Sequence, residues 1–150
     1  MMKKVVMMFL ILATVLSFTG CGSKPGSTVC TITKDIGTDE IIIDYDKDGK
    51  VTKYTLIYIT DVSGLGREDD YFVAMAEAYK QAVEQKAGFT YEYKLNTPLI
   101  TEIMTMDTAT GSVSDALWLK ILPEGATEDL TNKSLVKILT DQKYTCTNKK

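Results

Sequence analysis

Three aspartates at alternate positions, Asp44, Asp46 and Asp48, precede Gly49 in the stretch DYDKDGKV. Carboxylates at positions one, three and five of a loop, with glycine at position six, form the first half of an EF-hand calcium loop. The second half is missing, because position twelve is Thr55 where a bidentate glutamate is required. An Asp-Gly turn between two strands needs the same residue types for its left-handed backbone angles. We therefore predict a β-hairpin turn here, with a weak calcium site as the alternative.

The chain has three cysteines, Cys21, Cys30 and Cys146, and no histidine. Without histidine, no Ser-His-Asp triad, Cys-His pair or histidine-based zinc site can form. If Cys21 carries a lipid, as argued below, two thiols remain outside the cytosol, where an even count favours pairing. We predict a disulfide between Cys30 and Cys146, which would place the first and last strands side by side. Two unpaired buried cysteines are the alternative.

Ser134 and Lys137 have the S-x-x-K spacing of penicillin-binding enzymes. The K-T-G and S-D-N motifs that accompany it in those enzymes are absent from the chain. We interpret both residues as polar positions of a C-terminal helix. An enzyme would have to be a hydrolase that uses only carboxylates or hydroxyls, and we expect neither an enzyme nor a cofactor.

The N-terminus has the organisation of a secretory signal. Lys3 and Lys4 are followed by an almost unbroken apolar run over residues 5–18. A basic start and a run of this length are typical of a signal peptide, whereas a membrane-spanning helix needs about 20 apolar residues. We predict a lipoprotein signal peptide over residues 1–20.

The apolar run ends in Phe18, Thr19, Gly20 and Cys21, a pattern that resembles the bacterial lipobox. Phe18 departs from the leucine that is usual at that position. The resemblance implies cleavage before Cys21 and its attachment to diacylglycerol, with residues 21–27 as the lipidated cysteine and a short linker. An ordinary signal peptide followed by a structural cysteine is the alternative.

Removal of the signal takes away two lysines and none of the 20 acidic residues, so the formal net charge changes from −3 to −5. Binding to nucleic acid or to anionic lipid needs a positive face. We therefore expect no nucleic-acid partner and a membrane association that depends on the lipid at Cys21, on the extracytoplasmic side. Residues 28–150 are enough for one domain with a single core.

Six segments have the β-branched and aromatic composition of strands: residues 29–34, 40–45, 51–59, 89–95, 99–106 and 144–147. In the third segment, alternation assigns a common side to Val51, Lys53, Thr55, Ile57 and Ile59. In the fourth, Phe89, Tyr91 and Tyr93 alternate with polar residues. Such a stripe is typical of the core face of a sheet, and the floor of a ligand groove is the alternative.

Helical spacing replaces the strand pattern from Glu68 and ends by Gly88. The apolar face of this helix is predicted to contain Phe72, Met75, Ala76, Tyr79 and Val83. A short helix over residues 115–122 is predicted to place Trp118 in the core, and a last helix is predicted over residues 132–141. Because strands occur in runs, we predict an α+β fold. Its mainly antiparallel sheet would carry the central amphipathic helix and the C-terminal helix packed on it.

The order of these features resembles the YehR-like bacterial lipoproteins. The shared features are the lipidated cysteine, a hairpin turn at DKDGKVTK, a helix running into AGFTYEYK, a strand ending in MTMD and a terminal helix. The role of that family is uncharacterised, so the resemblance implies a fold and a location but no activity. We expect a lipid-anchored envelope lipoprotein with a non-enzymatic binding or structural role. The weak calcium binder and the hydrolase remain the alternatives.

Overall fold

The computed structural model describes residues 24–149, which form an α+β fold around one six-stranded antiparallel sheet. The strands are β1 (Gly26–Lys34), β2 (Gly37–Tyr45), β3 (Val51–Asp61), β4 (Phe89–Asn96), β5 (Leu99–Asp107) and β6 (Thr145–Lys149). The helices are α1 (Asp69–Glu84), α2 (Val113–Trp118) and α3 (Asn132–Asp141). Each of the six predicted strands is present. The predicted α+β class with an antiparallel sheet is therefore confirmed.

The strand order across the sheet is β4-β5-β3-β2-β1-β6, so the last strand of the chain lies beside the first. Alternate residues of the strands form one main core with residues of all three helices. From the strands this core takes Cys30, Ile41, Ile43, Val51, Tyr54, Leu56, Phe89, Tyr91, Met104 and Met106. The helices contribute Ala76, Val83, Val113, Ala116, Leu135 and Leu139. This face of the sheet, here called the core face, is the side on which the helices lie.

A bulge in β3 changes the side that Val51 was predicted to occupy. Lys53 pairs with Asp44 and Val51 with Tyr45, so that Thr52 has no opposite residue. One extra residue reverses the alternation of a strand locally. Val51 is therefore buried in the core, whereas Lys53 and Thr55 are on the opposite face of the sheet.

Trp118 was predicted to lie in the core, and this prediction is wrong, because the side chain is 69% exposed. The helix that carries it begins earlier than expected, at Val113, after Ser112 accepts a hydrogen bond from the Asp115 backbone N–H at 3.0 Å. Val113 and Ala116 are the buried positions of this short helix. Trp118, two residues after Ala116, consequently points away from the core.

Met75 is a second correction, since it is 56% exposed. The buried residues of α1 are Phe72, Ala76 and Val83, which form a narrow stripe. Met75 lies at the edge of this stripe, where the helix surface turns toward solvent.

Cys21 and the predicted signal peptide lie outside the described residues. Within residues 24–149, the helices are too short or too polar to cross a membrane.

Candidate functional site

The aspartate-rich turn joins β2 to β3, as the hairpin interpretation predicts. The Asp46 side chain accepts hydrogen bonds from the backbone N–H groups of Asp48 and Lys50, both at 2.9 Å. Gly49 has the left-handed backbone conformation, with φ of 80°, and its carbonyl accepts a hydrogen bond from the Asn132 N–H at 2.9 Å. The turn therefore supports the first residue of α3.

The three carboxylates of this turn have separate partners. Asp46 is bound to the turn backbone, Asp48 pairs with Lys47 at 3.0 Å, and Asp44 lies 3.5 Å from Lys53. Within residues 24–149, no group of three or more His, Cys, Asp or Glu side chains has the arrangement to hold a metal ion.

Ser134 and Lys137, the residues of the S-x-x-K spacing, serve α3 itself. Ser134 and Thr131 exchange hydrogen bonds as a capping box at the start of the helix. Lys137 pairs with Asp141 one turn later, at 2.6 Å. The two residues therefore act in capping and in a surface ion pair.

The structure contains the Cys30–Cys146 disulfide that the sequence predicts. The two residues face each other directly in the pairing of β1 with β6, and their Cα atoms are 4.0 Å apart. Cys30 is fully buried, whereas Cys146 is partly exposed on the edge strand. The covalent bond thus joins the two ends of the domain.

A row of polar residues crosses the core face of the sheet, where strand alternation predicts apolar side chains. The strand register places Asp39, Tyr58, Glu102 and Tyr93 directly opposite one another on β2, β3, β5 and β4. We call these four residues the polar row. A charged group on the core face costs free energy unless it has a partner. The surroundings of the two carboxylates, Asp39 and Glu102, therefore determine this cost.

A groove with a volume of about 440 Å³ lies beside Tyr58, the one residue of this row in its lining. It is lined by Tyr58, Tyr79, Ala82, Trp118, Leu119 and Lys120. The Tyr79 hydroxyl donates a hydrogen bond to the Leu119 carbonyl at 2.6 Å and so ties α1 to the end of α2. We call this cavity the tyrosine groove. Its size is within the range of small-molecule sites in proteins.

Asp39, at one end of the polar row, is almost fully buried and is bound on two sides. Lys34 donates to its carboxylate, and the Tyr144 hydroxyl donates to the same oxygen at 3.1 Å. The ammonium nitrogen of Lys34 also lies 5.9 Å from the centre of the Tyr58 ring. This carboxylate therefore has its own counter-ion within the chain.

Glu102, on the other side of Tyr58, has a different environment. Its carboxylate accepts a hydrogen bond from the Tyr91 hydroxyl. The Tyr91 ring packs edge-on against Tyr79, with 5.3 Å between the ring centres. Among residues 24–149, no lysine or arginine lies within 4 Å of Glu102. Glu102 is thus a partly buried carboxylate without a counter-ion among these residues.

Burial and these carboxylates raise the pKa of the surrounding tyrosines. Burial first, then the charges of Asp39, Tyr79 and Glu102, raise the pKa of Tyr58 to about 12. Burial and the hydrogen bond to Glu102 raise the pKa of Tyr91, and burial and Asp39 raise that of Tyr144. These hydroxyls therefore keep their protons to a higher pH than the tyrosines of the unfolded chain do.

Tyr54 lies in the core near Tyr58 and Tyr144. Its side chain is fully buried, and its hydroxyl has no hydrogen-bond partner among the described residues. Burial, followed by the nearby Tyr144 and Tyr58, raises its pKa well above the ordinary value. An unpaired hydroxyl inside a protein costs free energy.

Lys120 has a strained backbone at the mouth of the groove, with φ of 56°. It follows α2 in the position where left-handed glycine is usual, and Ile121 donates back to the Ala116 carbonyl at 2.8 Å as in a Schellman motif. A left-handed conformation costs roughly 1 kcal/mol for a residue with a side chain. Lys120 therefore lines the groove although its left-handed backbone conformation is unfavourable for a residue with a side chain.

The raised tyrosine pKa values predict a pH dependence of stability. The unfolded chain loses tyrosine protons near pH 10, whereas the folded chain keeps that of Tyr58 to about pH 12. The raised pKa of Tyr58 therefore stabilises the folded state in full below pH 10. This stabilisation should be lost as the pH rises from 10 toward 12. Tyr58 alone should account for about 2 kcal/mol of the loss, allowing for its partial exposure. Urea unfolding between pH 8 and 11.5 measures the slope, which should be smaller in Tyr58→Phe. An equal slope in both proteins would contradict this assignment.

Sequence reasoning missed the site because its residues come from different elements with no fixed spacing. One signal was nevertheless present: Asp39 and Glu102 occupy the same side of their strands as Ile41 and Met104. An acidic residue on the apolar side of an alternating strand indicates either a partner or a site. The aromatic stripe of β4 lies on the core face as predicted, with Phe89 and Tyr91 buried.

No family model and no curated protein matches the chain. Among solved structures, the NMR structure of the E. coli YehR protein matches with a TM-score of 0.71 at 15% identity, over 83% of this chain and 92% of that one. The NMR structure of a protein from Streptococcus pneumoniae TIGR4 matches with a TM-score of 0.59 at 16% identity, over 95% and 94% of the two chains. At such identities the likeness shows the fold alone. The chain therefore shares its fold with the E. coli YehR protein, as its sequence resemblance to YehR-like proteins predicts.

Proposed function

We propose that the chain is a lipid-anchored lipoprotein of the bacterial envelope, attached through Cys21 on the extracytoplasmic side, and that it acts by binding without catalysis. The observation that carries this proposal is the Cys30–Cys146 disulfide. Structural disulfides persist in oxidising compartments outside the cytosol. With two of the three cysteines paired, Cys21 is the one left for lipid attachment in the sequence FTGC. The YehR-like resemblance fits the same location.

The position of the anchor supports access of a ligand to the tyrosine groove. β1 begins at Gly26, so the five residues from Cys21 span at most roughly 18 Å. Gly26 pairs with Tyr45 at the end of the sheet that carries the aspartate turn. Asp39 pairs with Ile32, six residues farther along β1, which is about 20 Å from that end. An anchor at Cys21 would therefore hold the domain near the bilayer, with Asp39 and its neighbour Tyr58 about 20 Å from the tethered end of the sheet.

Binding is the role that the groove chemistry supports. Its walls are largely aromatic, formed by Tyr58, Tyr79 and Trp118, with the Lys120 side chain as the charged group of the lining. Such walls with a few polar groups are typical of ligand sites. Glu102, opposite Tyr58 on β5, accepts the Tyr91 hydroxyl, which fixes the orientation of its carboxylate.

The test of the anchor is Cys21→Ala, compared with the unmodified chain in cells supplied with radiolabelled palmitate. We expect complete loss of label and accumulation of a precursor that retains the signal peptide, because the acceptor thiol and the cleavage signal are both removed. The matched control is Cys30→Ala with Cys146→Ala, which should still be labelled and cleaved. Labelled, processed Cys21→Ala protein would contradict the lipoprotein assignment.

A further inference from the structure

Resting on the proposed binding role, we propose that a primary ammonium group binds at the Tyr58 side of the tyrosine groove, between the ring of Tyr58 and the carboxylate of Glu102. Glu102 lies opposite Tyr58 on β5, next to the groove lining. The ligand class is an alkylamine, either a free diamine or the side chain of a lysine in another polypeptide. Both sources present the same group, a linear alkyl chain ending in an ammonium ion.

The chain itself provides an internal example of this mode of binding. Asp39 and Glu102 lie directly opposite Tyr58 on its two neighbouring strands, so that the Tyr58 ring stands between two carboxylates. On the Asp39 side, the Lys34 ammonium contacts the carboxylate and lies 5.9 Å from the centre of the Tyr58 ring. On the Glu102 side, the part of the chain that the structure describes supplies no ammonium within 4 Å.

Glu102 has the remaining capacity to accept such a ligand. A carboxylate accepts up to about four hydrogen bonds, and the Tyr91 hydroxyl is the one side-chain donor that reaches Glu102 within residues 24–149. A partly buried carboxylate without a counter-ion carries a desolvation cost that an incoming cation would offset. The orientation of Glu102 is fixed by Tyr91, whose own ring packs against Tyr79 in the groove wall.

The groove walls suit the rest of an alkylamine. Tyr58, Tyr79 and Trp118 present aromatic surface, and ring faces attract ammonium ions. Lys86 demonstrates this attraction at the groove edge, since its ammonium lies 5.8 Å from the centre of the Trp118 ring. Lys86 is also held at 2.8 Å by Asp115, so it is already neutralised.

The polar groups favour a primary ammonium over a quaternary one. A primary ammonium donates three hydrogen bonds, whereas a quaternary ammonium donates none. Glu102 is an acceptor that needs such donors. Lys120 is the positive charge on the groove lining, and it opposes a second cation there. The like charge predicts that its removal should strengthen binding of an amine.

Trp118 allows a direct test, because it is the single tryptophan of the chain and lines the groove. The full-length chain in detergent micelles is titrated with cadaverine, with Nα-acetyl-lysine methylamide and with neutral 1,5-pentanediol, while the Trp118 indole NMR signal is followed. Both amines should shift the signal in a saturable manner, and the diol should not. The tighter of the two amines identifies the source, a free diamine or a lysine side chain.

Three variants connect the response to the proposed contacts. Glu102→Gln should weaken amine binding by about tenfold or more, because it removes the charged partner of the ammonium. Glu92→Gln is the matched control and should leave the affinity unchanged. Glu92 lies on the neighbouring strand β4, on the opposite face of the sheet from Glu102. Lys120→Gln should strengthen binding about two- to threefold, as expected for loss of a nearby like charge at the surface.

The outcomes separate this proposal from the binding role on which it rests. Equal binding of cadaverine and pentanediol would overturn ammonium recognition and leave a groove that binds neutral ligands. Unchanged affinity in Glu102→Gln, or weaker binding in Lys120→Gln, would overturn the assigned contacts. Saturable binding of both amines that is weakened about tenfold or more in Glu102→Gln and unchanged in Glu92→Gln would support the proposal, whatever the result of the Cys21 labelling experiment.

Discussion

Replacing both cysteines of the Cys30–Cys146 pair with alanine is expected to lower the free energy of unfolding by about 4 kcal/mol. The two residues are 116 positions apart. In the chain-entropy account, a cross-link that closes a loop of about this length restricts the unfolded chain by roughly 4 to 5 kcal/mol. Since whole domains are stable by about 5–15 kcal/mol, this loss would be a large fraction of the total.

The effect should be concentrated at β6. This strand has five residues, lies at the edge of the sheet and buries little apolar surface, with Cys146 as its most buried described position. As an edge strand it pairs with β1 on one side, and the backbone N–H and C=O groups of its other side face away from the sheet. Without the disulfide, we expect the amides of β6 to exchange with solvent faster than those of the central strands β3 and β5.

Urea unfolding with and without dithiothreitol measures this contribution. Reduction of the unmodified chain should lower the unfolding midpoint as far as the double alanine variant lowers it, and the variant should not respond to dithiothreitol. A loss below about 1 kcal/mol in both experiments would mean that the unfolded chain is already restricted in another way.

Cysteine counting and strand alternation predicted the parts of the fold that depend on local chemistry. The Cys30–Cys146 pairing followed from the number of thiols, and it correctly placed the last strand beside the first. The turn at Asp46–Gly49 followed from residue types that tolerate left-handed angles. The number of cysteines determines the first of these features, and the residue types of one short segment determine the second.

The tyrosine groove could not be predicted in this way, because the order and register of the strands create it. Asp39 and Glu102 are 63 residues apart in the numbering of the chain and meet on either side of Tyr58 only after β5 pairs with β3. The position of Trp118 depends on where α2 begins, since a shift of the helix start by two residues rotates the side chain to the opposite side. The spacing of apolar residues predicts that a helix is present more reliably than it predicts the residue at which the helix begins.

Gly88→Ala is expected to be among the most destabilising single changes in the chain, with a loss of at least about 3 kcal/mol from steric strain at a special backbone position. Gly88 has φ of 82°, and a Cβ atom there would lie 2.3 Å from the Gly111 backbone nitrogen and 2.7 Å from the Thr110 carbonyl carbon. Real Cβ atoms do not approach backbone so closely. The backbone of one of the two segments would have to move.

This contact joins two corners of the fold. Gly88 lies between α1 and β4, and Gly111 lies between β5 and α2. The Gly88 carbonyl accepts a hydrogen bond from the Asp107 N–H at 2.8 Å, and the Gly111 N–H donates to the Asp107 carbonyl at 2.7 Å. Separation of the two segments would therefore break backbone hydrogen bonds and disturb Phe89 and Val113, which are buried next to them.

Gly49→Ala is the matched control, because Gly49 has nearly the same backbone angle, with φ of 80°, and no atom within 4 Å of the added Cβ. It should cost only the left-handed strain of alanine, roughly 1 kcal/mol. The difference between the two variants in urea unfolding isolates the backbone contact from the shared conformational cost. Equal losses for Gly88→Ala and Gly49→Ala would contradict a close approach at Gly88. A larger loss at Gly88 would indicate that the two loops require glycine because their backbones touch.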